Sequence, residues 1–282
     1  MVLALRQNGR LVGMAPFVIY AEPHASERKL FLLGTGVSDY LDVLFDRSAE
    51  AECLRAVIAH LEQQRHRWDR GELHQLPAHS PLRRAVLPED WRAKFSPDEV
   101  CPVLVLPRRV EGLSRCVPSR QLETLQYYRR RLARRGSAQI ELAGRKNFEE
   151  LFAALLRLHR ARWSAKKRPG MLSNEAVQRF HREAAWALLA RGALRLHALR
   201  LDGATIAVLY GFVRGRRAWG YLGGFDPAFK TLSLGMLMVG HALEEAIREG
   251  VSEFDFLRGQ EAYKYAWGAK DRPTYRCDFS SP

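Results

Sequence analysis

The sequence predicts an α/β protein with a mixed (α+β) sheet, built as two related halves. Three observations carry this. The chain is 282 residues long, beyond the roughly 100–200 residues of an ordinary single domain. Strand-like and helix-like segments alternate along its length. One pattern also occurs twice: Leu3-Ala4-Leu5-Arg6-Gln7-Asn8-Gly9-Arg10-Leu11-Val12-Gly13 is matched in register by His197-Ala198-Leu199-Arg200-Leu201-Asp202-Gly203-Ala204-Thr205-Ile206-Ala207. In both, Ala-Leu-Arg precedes an Asn/Asp-Gly turn, and a β-branched residue followed by a small one comes after it. Strands, a helix, a strand and a short helix then follow in the same order in each half. The second copy has a strand and two helices before its hairpin, whereas the first begins at the hairpin. The first copy is therefore read as N-terminally incomplete. The domains are expected at 1–117 and 118–282.

In the first half, Val2 to Arg6 and Leu11 to Tyr20 are strands joined by Asn8-Gly9, a pair suited to a type I′ turn because both residues tolerate positive φ. Lys29 to Leu33 and Tyr40 to Phe45 form a further strand pair across a Gly-rich linker. Ala49 to Gln64 is an amphipathic helix with Cys53, Leu54, Val57, Ile58 and Leu61 on one face. Glu72 to Leu76 is a strand, Ser80 to Val86 a short helix and Val100 to Leu106 a strand. Ser119 then caps a helix bearing Arg129, Arg130, Arg131, Arg134 and Arg135.

The second half continues with a strand at Ala138 to Leu142 and a helix at Phe148 to Lys166, with Leu151, Leu155, Leu158 and Trp163 at helical spacing. An Asn174-capped helix runs to Ala190. Leu194 to Leu201 and Thr205 to Val213 make the second hairpin about Asp202-Gly203, and Ala218 to Gly223 is a strand. Ser233 to Glu249 is a helix, Glu253 to Leu257 a strand, Glu261 to Gly268 a short helical piece and Thr274 to Phe279 a last strand.

Composition narrows the class. Hydrophobic residues are 47% and charged residues 27%, so each half can bury a core. No stretch reaches the ~18 apolar residues of a transmembrane helix. Charge at Arg6 interrupts any signal-peptide core, and a cytoplasmic protein is expected. Cys53, Cys101, Cys116 and Cys277 form no CxxC pair, so neither zinc nor a disulfide framework is expected. A net charge of +14 favours anionic partners: nucleic acid, acidic lipid or a phosphate-bearing cofactor. An arginine-rich composition alone gives the same charge.

Two segments carry the candidate chemistry. Lys230-Thr231-Leu232-Ser233-Leu234-Gly235 opens a helix whose first N–H groups have no helical partners. A pyrophosphate would sit well there: Lys230 adds charge, Ser233 can cap and Gly235 lets the backbone come close. The second segment, Glu253 to Gly268, places Arg258, Gln260, Glu261, Tyr263 and Lys264 at the exit of a strand. Asp255–Arg258 and Glu261–Lys264 are also plain structural ion pairs by spacing. As a group, this cluster is the best site candidate in the chain.

The run Phe148 to Phe279 resembles the C-terminal domain of the CelD/BcsL family, whose BioF2-like domain is a GNAT-type acetyltransferase found around cellulose and exopolysaccharide synthesis. The residues that carry the resemblance are Trp219-Gly220-Tyr221 with Phe225-Asp226-Pro227, Ser233-Leu234-Gly235, Asp255-Phe256-Leu257-Arg258-Gly259, Glu261, Tyr263-Lys264 and Trp267. Gly36-Val37-Ser38-Asp39-Tyr40-Leu41-Asp42 resembles the domain that precedes it. The resemblance implies tandem GNAT-like domains and transfer of an acyl group from acetyl-CoA to an amine or hydroxyl of a saccharide-related or small acceptor. It implies a pyrophosphate on Leu232 to Met236, thus on Ser233, Leu234, Gly235 and Met236 beside Lys230, and a pantetheine arm along Leu222, Gly223 and Phe225. Asp255 or Glu261 would be the base and Tyr263 or Tyr265 the acid, with Arg258 and Lys264 on the oxyanion or on an anionic substrate. It also implies a more distant similarity to the FemABX aminoacyltransferases, which use two such domains and aminoacyl-tRNA. An aminoacyl-tRNA-dependent transferase and a non-catalytic member of the fold are the alternatives.

Overall fold

The computed structural model describes residues 1–22 and 26–280. Its main elements are β1 (Val2–Gln7), β2 (Arg10–Ala21), β3 (Arg28–Leu32), β4 (Leu44–Phe45), α1 (Glu50–Gln63), β5 (Arg70–Pro77), β6 (Arg92–Val105), α2 (Ser119–Ala133), β7 (Ala138–Leu142), α3 (Phe148–Ser164), α4 (Glu175–Ala190), β8 (Leu194–Leu201), β9 (Ala204–Arg214), β10 (Arg217–Phe225), α5 (Leu234–Arg248), β11 (Glu253–Asp255), α6 (Ala262–Ala266) and β12 (Lys270–Ser280). Two compact units result: Met1–Cys101 with Arg272–Pro282, and Pro102–Asp271.

The division falls at Cys101/Pro102, not at the expected residue 118. In the second unit, Val103 to Val105 pair with β11, and Leu113 and Val117 share a core with Trp267. The last strand, β12, pairs with β5 in the first unit.

In the first unit the strand order is β1-β2-β3-β5-β12-β6, with β4 on β2. β3 and β5 are parallel. Phe17, Leu30 and Leu32 pack with Val57 and Leu61 of α1. Trp68, Trp91 and Phe279 close that core, with ring centroids 5.0–5.4 Å apart.

In the second unit the order is β6-β11-β10-β9-β8-β7. Side chains on β8 alternate between two cores, as a strand with both faces covered must. Leu194, Leu196 and Ala198 join the core with Phe148, Leu151, Leu155 and Leu158 of α3 and Ala185 of α4. Leu199 and Leu201 join the core with Leu125 of α2 and Leu237, Met238 and Leu243 of α5.

The internal repeat is visible in backbone detail. Asn8 and Gly9 have φ 50° and 80°, and Asp202 and Gly203 have φ 49° and 83°, so both hairpins turn with two left-handed residues. Each hairpin also carries a bulge in its second strand, at Val12 opposite Leu5/Arg6 and at Ile206 opposite Leu199/Arg200. In each, the matching arginine donates to the turn glycine carbonyl: Arg6 Nη1 to Gly9 O at 3.0 Å, and Arg200 Nη1 to Gly203 O at 3.1 Å. Bulges re-aim a strand and do not arise from turn chemistry alone.

Several expected elements differ. Tyr40 to Phe45 is a strand only at Leu44–Phe45, because Asp42 engages Val43 N and Ser80 Oγ instead of a neighbouring strand. Ser119 is the first helical residue of α2, behind Pro118, and makes no cap. β6 starts well before Val100, at Arg92, in a polar stretch with no period-2 apolar signal. No helix among the described residues is long and apolar enough to cross a membrane. No group of three or more His, Cys, Asp or Glu among them could hold a metal.

Candidate active site

β10 runs parallel to β11 from Arg217↔Glu253 to Trp219↔Asp255. Two local features then part them. Pairing of β10 with β9 skips from Gly220↔Gly211 to Leu222↔Tyr210, which makes Tyr221 a bulge and bends the strand. β11 ends because the Asp255 carboxylate accepts the Leu257 N–H at 2.8 Å, with Leu257 in a left-handed conformation (φ 59°). β10 continues without β11 through Leu222, Gly223, Gly224 and Phe225.

A 3₁₀ turn, Pro227–Leu232, follows β10, with Asp226 Oδ1 accepting from Ala228 N. Next comes Ser233, then α5. The first helical hydrogen bonds run from Met236 N and Leu237 N to Ser233 O. The N–H groups of Leu234 and Gly235 precede them, in the open first turn where the helix dipole is positive. Lys230 is exposed beside this turn, whereas Leu232 and Leu234 are buried and offer the site their backbone alone. Met236 is half-buried and packs on the core. A Cβ added at Gly235 would meet Phe225 Cε1 at 3.6 Å, an ordinary contact, so the chain itself leaves that space available.

Ser233 holds the N-cap position but makes no side-chain cap. Its backbone is left-handed (φ 47°, ψ 51°), while a capping serine needs an extended one. A residue with a Cβ is strained there. Ser233→Gly is expected to stabilise the chain by up to about 1 kcal/mol, part of the relieved strain being offset by glycine's greater unfolded-state freedom. Thermal melting measures it, and a lower Tm would contradict it.

The loop from β11 to α6 is built around Lys264. This ammonium is 3% exposed and donates to Leu257 O at 2.9 Å, Arg258 O at 2.7 Å and Gly259 O at 3.1 Å. It also pairs with Glu261 Oε2 at 2.9 Å. Lys264 is therefore fully engaged by the protein, and the sequence expectation that it meets an oxyanion does not fit its position. Asp255 is 0% exposed and holds the turn, which does not suit a base that must reach an acceptor. Arg258 is half-buried. Glu261 is exposed at 58% of its side chain, and Tyr263 at 48%. The Tyr263 phenol is pushed up to about 12, first by burial of its surroundings and then by Glu261, against the pull of Arg162. Tyr265 donates to Asp271 Oδ1 at 2.7 Å and is thereby committed outside the cluster.

Arg162 itself comes from α3, which sequence reasoning treated as a packing helix. A Cβ at Gly224 would lie 2.5 Å from His159 N and 2.7 Å from Leu158 C, so this glycine lets α3 pack directly on β10. That approach brings Arg162 Nη1 to Gly223 O at 3.0 Å and its guanidinium carbon to 4.6 Å from the Phe225 ring centroid. Burial pulls the guanidinium pKa below its ordinary value, while Tyr263 and Glu261 pull it up. One turn earlier, His159 is 2% exposed with Nε2 unpartnered. Burial and the Arg162 charge push its imidazole down to about 4, so it is neutral at pH 7. The signal in the sequence was the Gly223-Gly224 pair inside a strand, which marks the close approach of another backbone.

In three dimensions the chain resembles several solved structures. FemX superposes with a TM-score of 0.67 at 11% identity, over 98% of this chain and 87% of its own. The C-terminal domain of a putative lysylphosphatidylglycerol synthetase from Agrobacterium fabrum gives 0.62 at 15%, over 95% and 80%. A tandem GNAT protein from the clavulanic acid biosynthesis pathway gives 0.50 at 15%, over 99% and 82%. At these identities the likeness is one of fold. No curated protein matches the sequence. The family profile for the acetyltransferase (GNAT) domain matches residues 119–265, more than half of the chain, and the protein belongs to that family.

Proposed function

We propose that the protein is an acetyl-CoA-dependent acyltransferase, acting on an amine or hydroxyl of a small or saccharide-type acceptor. The observation that supports this most is the parting of β10 from β11 with the N-terminus of α5 following directly. The residues present suit such a donor: the N–H groups of Leu234 and Gly235 and the Lys230 ammonium for phosphates, and the Leu222–Phe225 edge for the arm. The donor supplies an activated thioester.

The chain's own residues divide the remaining work. Glu261 is exposed enough to take the proton of the attacking amine or hydroxyl. Tyr263 stays protonated through the neutral range. Its phenol is a weaker acid than an ordinary thiol of pKa about 8.5, so it serves as a hydrogen-bond donor to the departing sulfur more than as a full acid. Asp255 and Lys264 are positioning residues that fix the loop carrying both. Glu261→Gln is expected to lower kcat about 100-fold, and Tyr263→Phe about tenfold, the worth of one hydrogen bond. Both should leave acetyl-CoA affinity within about threefold, since neither sits at the phosphate-binding turn. Thiol release from acetyl-CoA against a panel of amines and amino sugars, with calorimetry for the donor, measures both effects. Wild-type kcat in both variants would overturn the roles.

A second reading, an aminoacyl-tRNA-dependent transferase, draws on the FemX-like fold and on the exposed Arg130 of α2 with Arg134 and Arg135 just after it. Salt-sensitive tRNA binding in place of acetyl-CoA binding would favour it.

A further inference from the structure

Arg162 has features that packing does not explain. Its Nε is buried without a hydrogen-bond partner, and its Nη1 rests on a neutral acceptor, Gly223 O. Among the described residues no carboxylate lies within ion-pair distance of it, whereas Arg129, Arg195, Arg200, Arg217 and Arg248 of the same unit each hold one. The surroundings add to its charge. Lys166, Lys167 and Arg168 follow α3, exposed, and also without carboxylate partners among the described residues. Glu261, the carboxylate that acts on Arg162, is already ion-paired to Lys264. His159 and Tyr263 are neutral at pH 7. The cluster therefore carries net positive charge.

Withdrawing a cation from water costs free energy unless an opposite charge meets it. A guanidinium also offers five N–H donors in a planar fork that matches carboxylate and phosphate oxygens two at a time. Here one donor is used on Gly223 O, Nε is unsatisfied, and the Phe225 ring fixes the plane of the fork.

We propose that Arg162 binds an anionic group, a carboxylate or a phosphate, of a ligand that enters beside Gly223 where β10 leaves β11. On the transferase reading, which this inference uses to say which ligand enters, the group belongs either to an acidic acceptor or to the donor's phosphates. Lys166, Lys167 and Arg168 raise the local concentration of such anions.

The test uses inorganic phosphate as the probe. Phosphate is titrated calorimetrically, at constant ionic strength, into the full chain and into Arg162→Met, each with and without saturating CoA. Arg162→Met should bind phosphate at least tenfold more weakly, Arg162→Lys should recover part of the loss, and the Tm of Arg162→Met should equal or exceed that of the wild type. Arg162-dependent binding that persists under CoA assigns the anion to the acceptor. Arg162-dependent binding that CoA displaces assigns it to the donor. Equal phosphate affinity in wild type and Arg162→Met overturns the proposal. Should the methionine variant not fold, Arg162→Gln and Arg162→Lys give the same comparison. Failure of acetyl-CoA to bind would sink the transferase reading and leave the phosphate result legible on its own.

Discussion

Lys264→Met is expected to lower the melting temperature of the full chain by about 6–12 °C. The stem survives the substitution, so hydrophobic packing is largely kept. What disappears is the ammonium that joins Leu257 O, Arg258 O, Gly259 O and Glu261. A buried acceptor left unsatisfied costs about 1–3 kcal/mol, and the loop it leaves holds Leu257 in a strained left-handed conformation at φ 59°. A loss on the order of 3 kcal/mol corresponds to that shift for a unit of this size. Activity should fall further than stability accounts for, because Glu261 and Tyr263 ride on the same loop. Thermal melting checks the first effect, and kcat measured well below the variant's Tm checks the second. A variant as stable as the wild type would mean that the ammonium is not the hub of the loop.

The second large effect is acid sensitivity. Burial pushes His159 down to about 4 and, with the charges of His241 and Arg195, pushes His197 down to about 3. Both are below the unfolded value of about 6.5, so below that pH the unfolded chain binds protons that the folded chain refuses. The stability is fully present above pH 6.5 and drains away as pH falls toward 4 for His159 and toward 3 for His197. Each contributes a slope of about 1.4 kcal/mol per pH unit within its window. Between pH 6.5 and 5 the pair should cost on the order of 3 kcal/mol. His181 and His241 are shifted the same way by burial and steepen the fall. Melting the wild type and a His159→Gln, His197→Gln double variant across pH 7.5 to 5 isolates the imidazole contribution: the variant should start lower and fall less. Parallel curves would contradict the assignment.

The parts of the fold that were legible in the sequence are those written in local chemistry. Asn8-Gly9 and Asp202-Gly203 announce two-residue turns because only a few residue types tolerate consecutive positive φ. Asn174 announces a helix start and indeed caps Ala176 N and Val177 N. The paired bulges were invisible, since an extra residue in a strand has no composition of its own. The division at Cys101/Pro102 was not legible, because it falls within a strand and not in a linker of distinct composition, and the return of β12 to β5 is a long-range pairing.

The stretch from Asp255 to Lys264 was legible as a polar cluster but not in its hydrogen bonds. Polar residues in sequence read as exposed, yet Asp255 and Lys264 are buried by contacts made to their own loop. Arg162 was missed because it follows the apolar stripe of α3, where an arginine reads as solvent-facing. It reaches Gly223 O and the Phe225 ring through Gly224, which lies far along the chain and admits the helix to the strand.

The central claim is that the first turn of α5 holds the phosphates of an acyl-CoA. The most direct measurement is calorimetric titration of acetyl-CoA into the wild type and into Gly235→Asp, with thermal melting to show that both are folded. The space at Gly235, bounded by Phe225 at 3.6 Å, lets the chain accept a side chain there, so the variant should fold. A carboxylate in that turn repels phosphate and should weaken binding by at least about 100-fold, some 2.7 kcal/mol. Binding by the wild type and its loss in the variant is the predicted result. Equal affinity in the two, or no binding by either, would contradict the account.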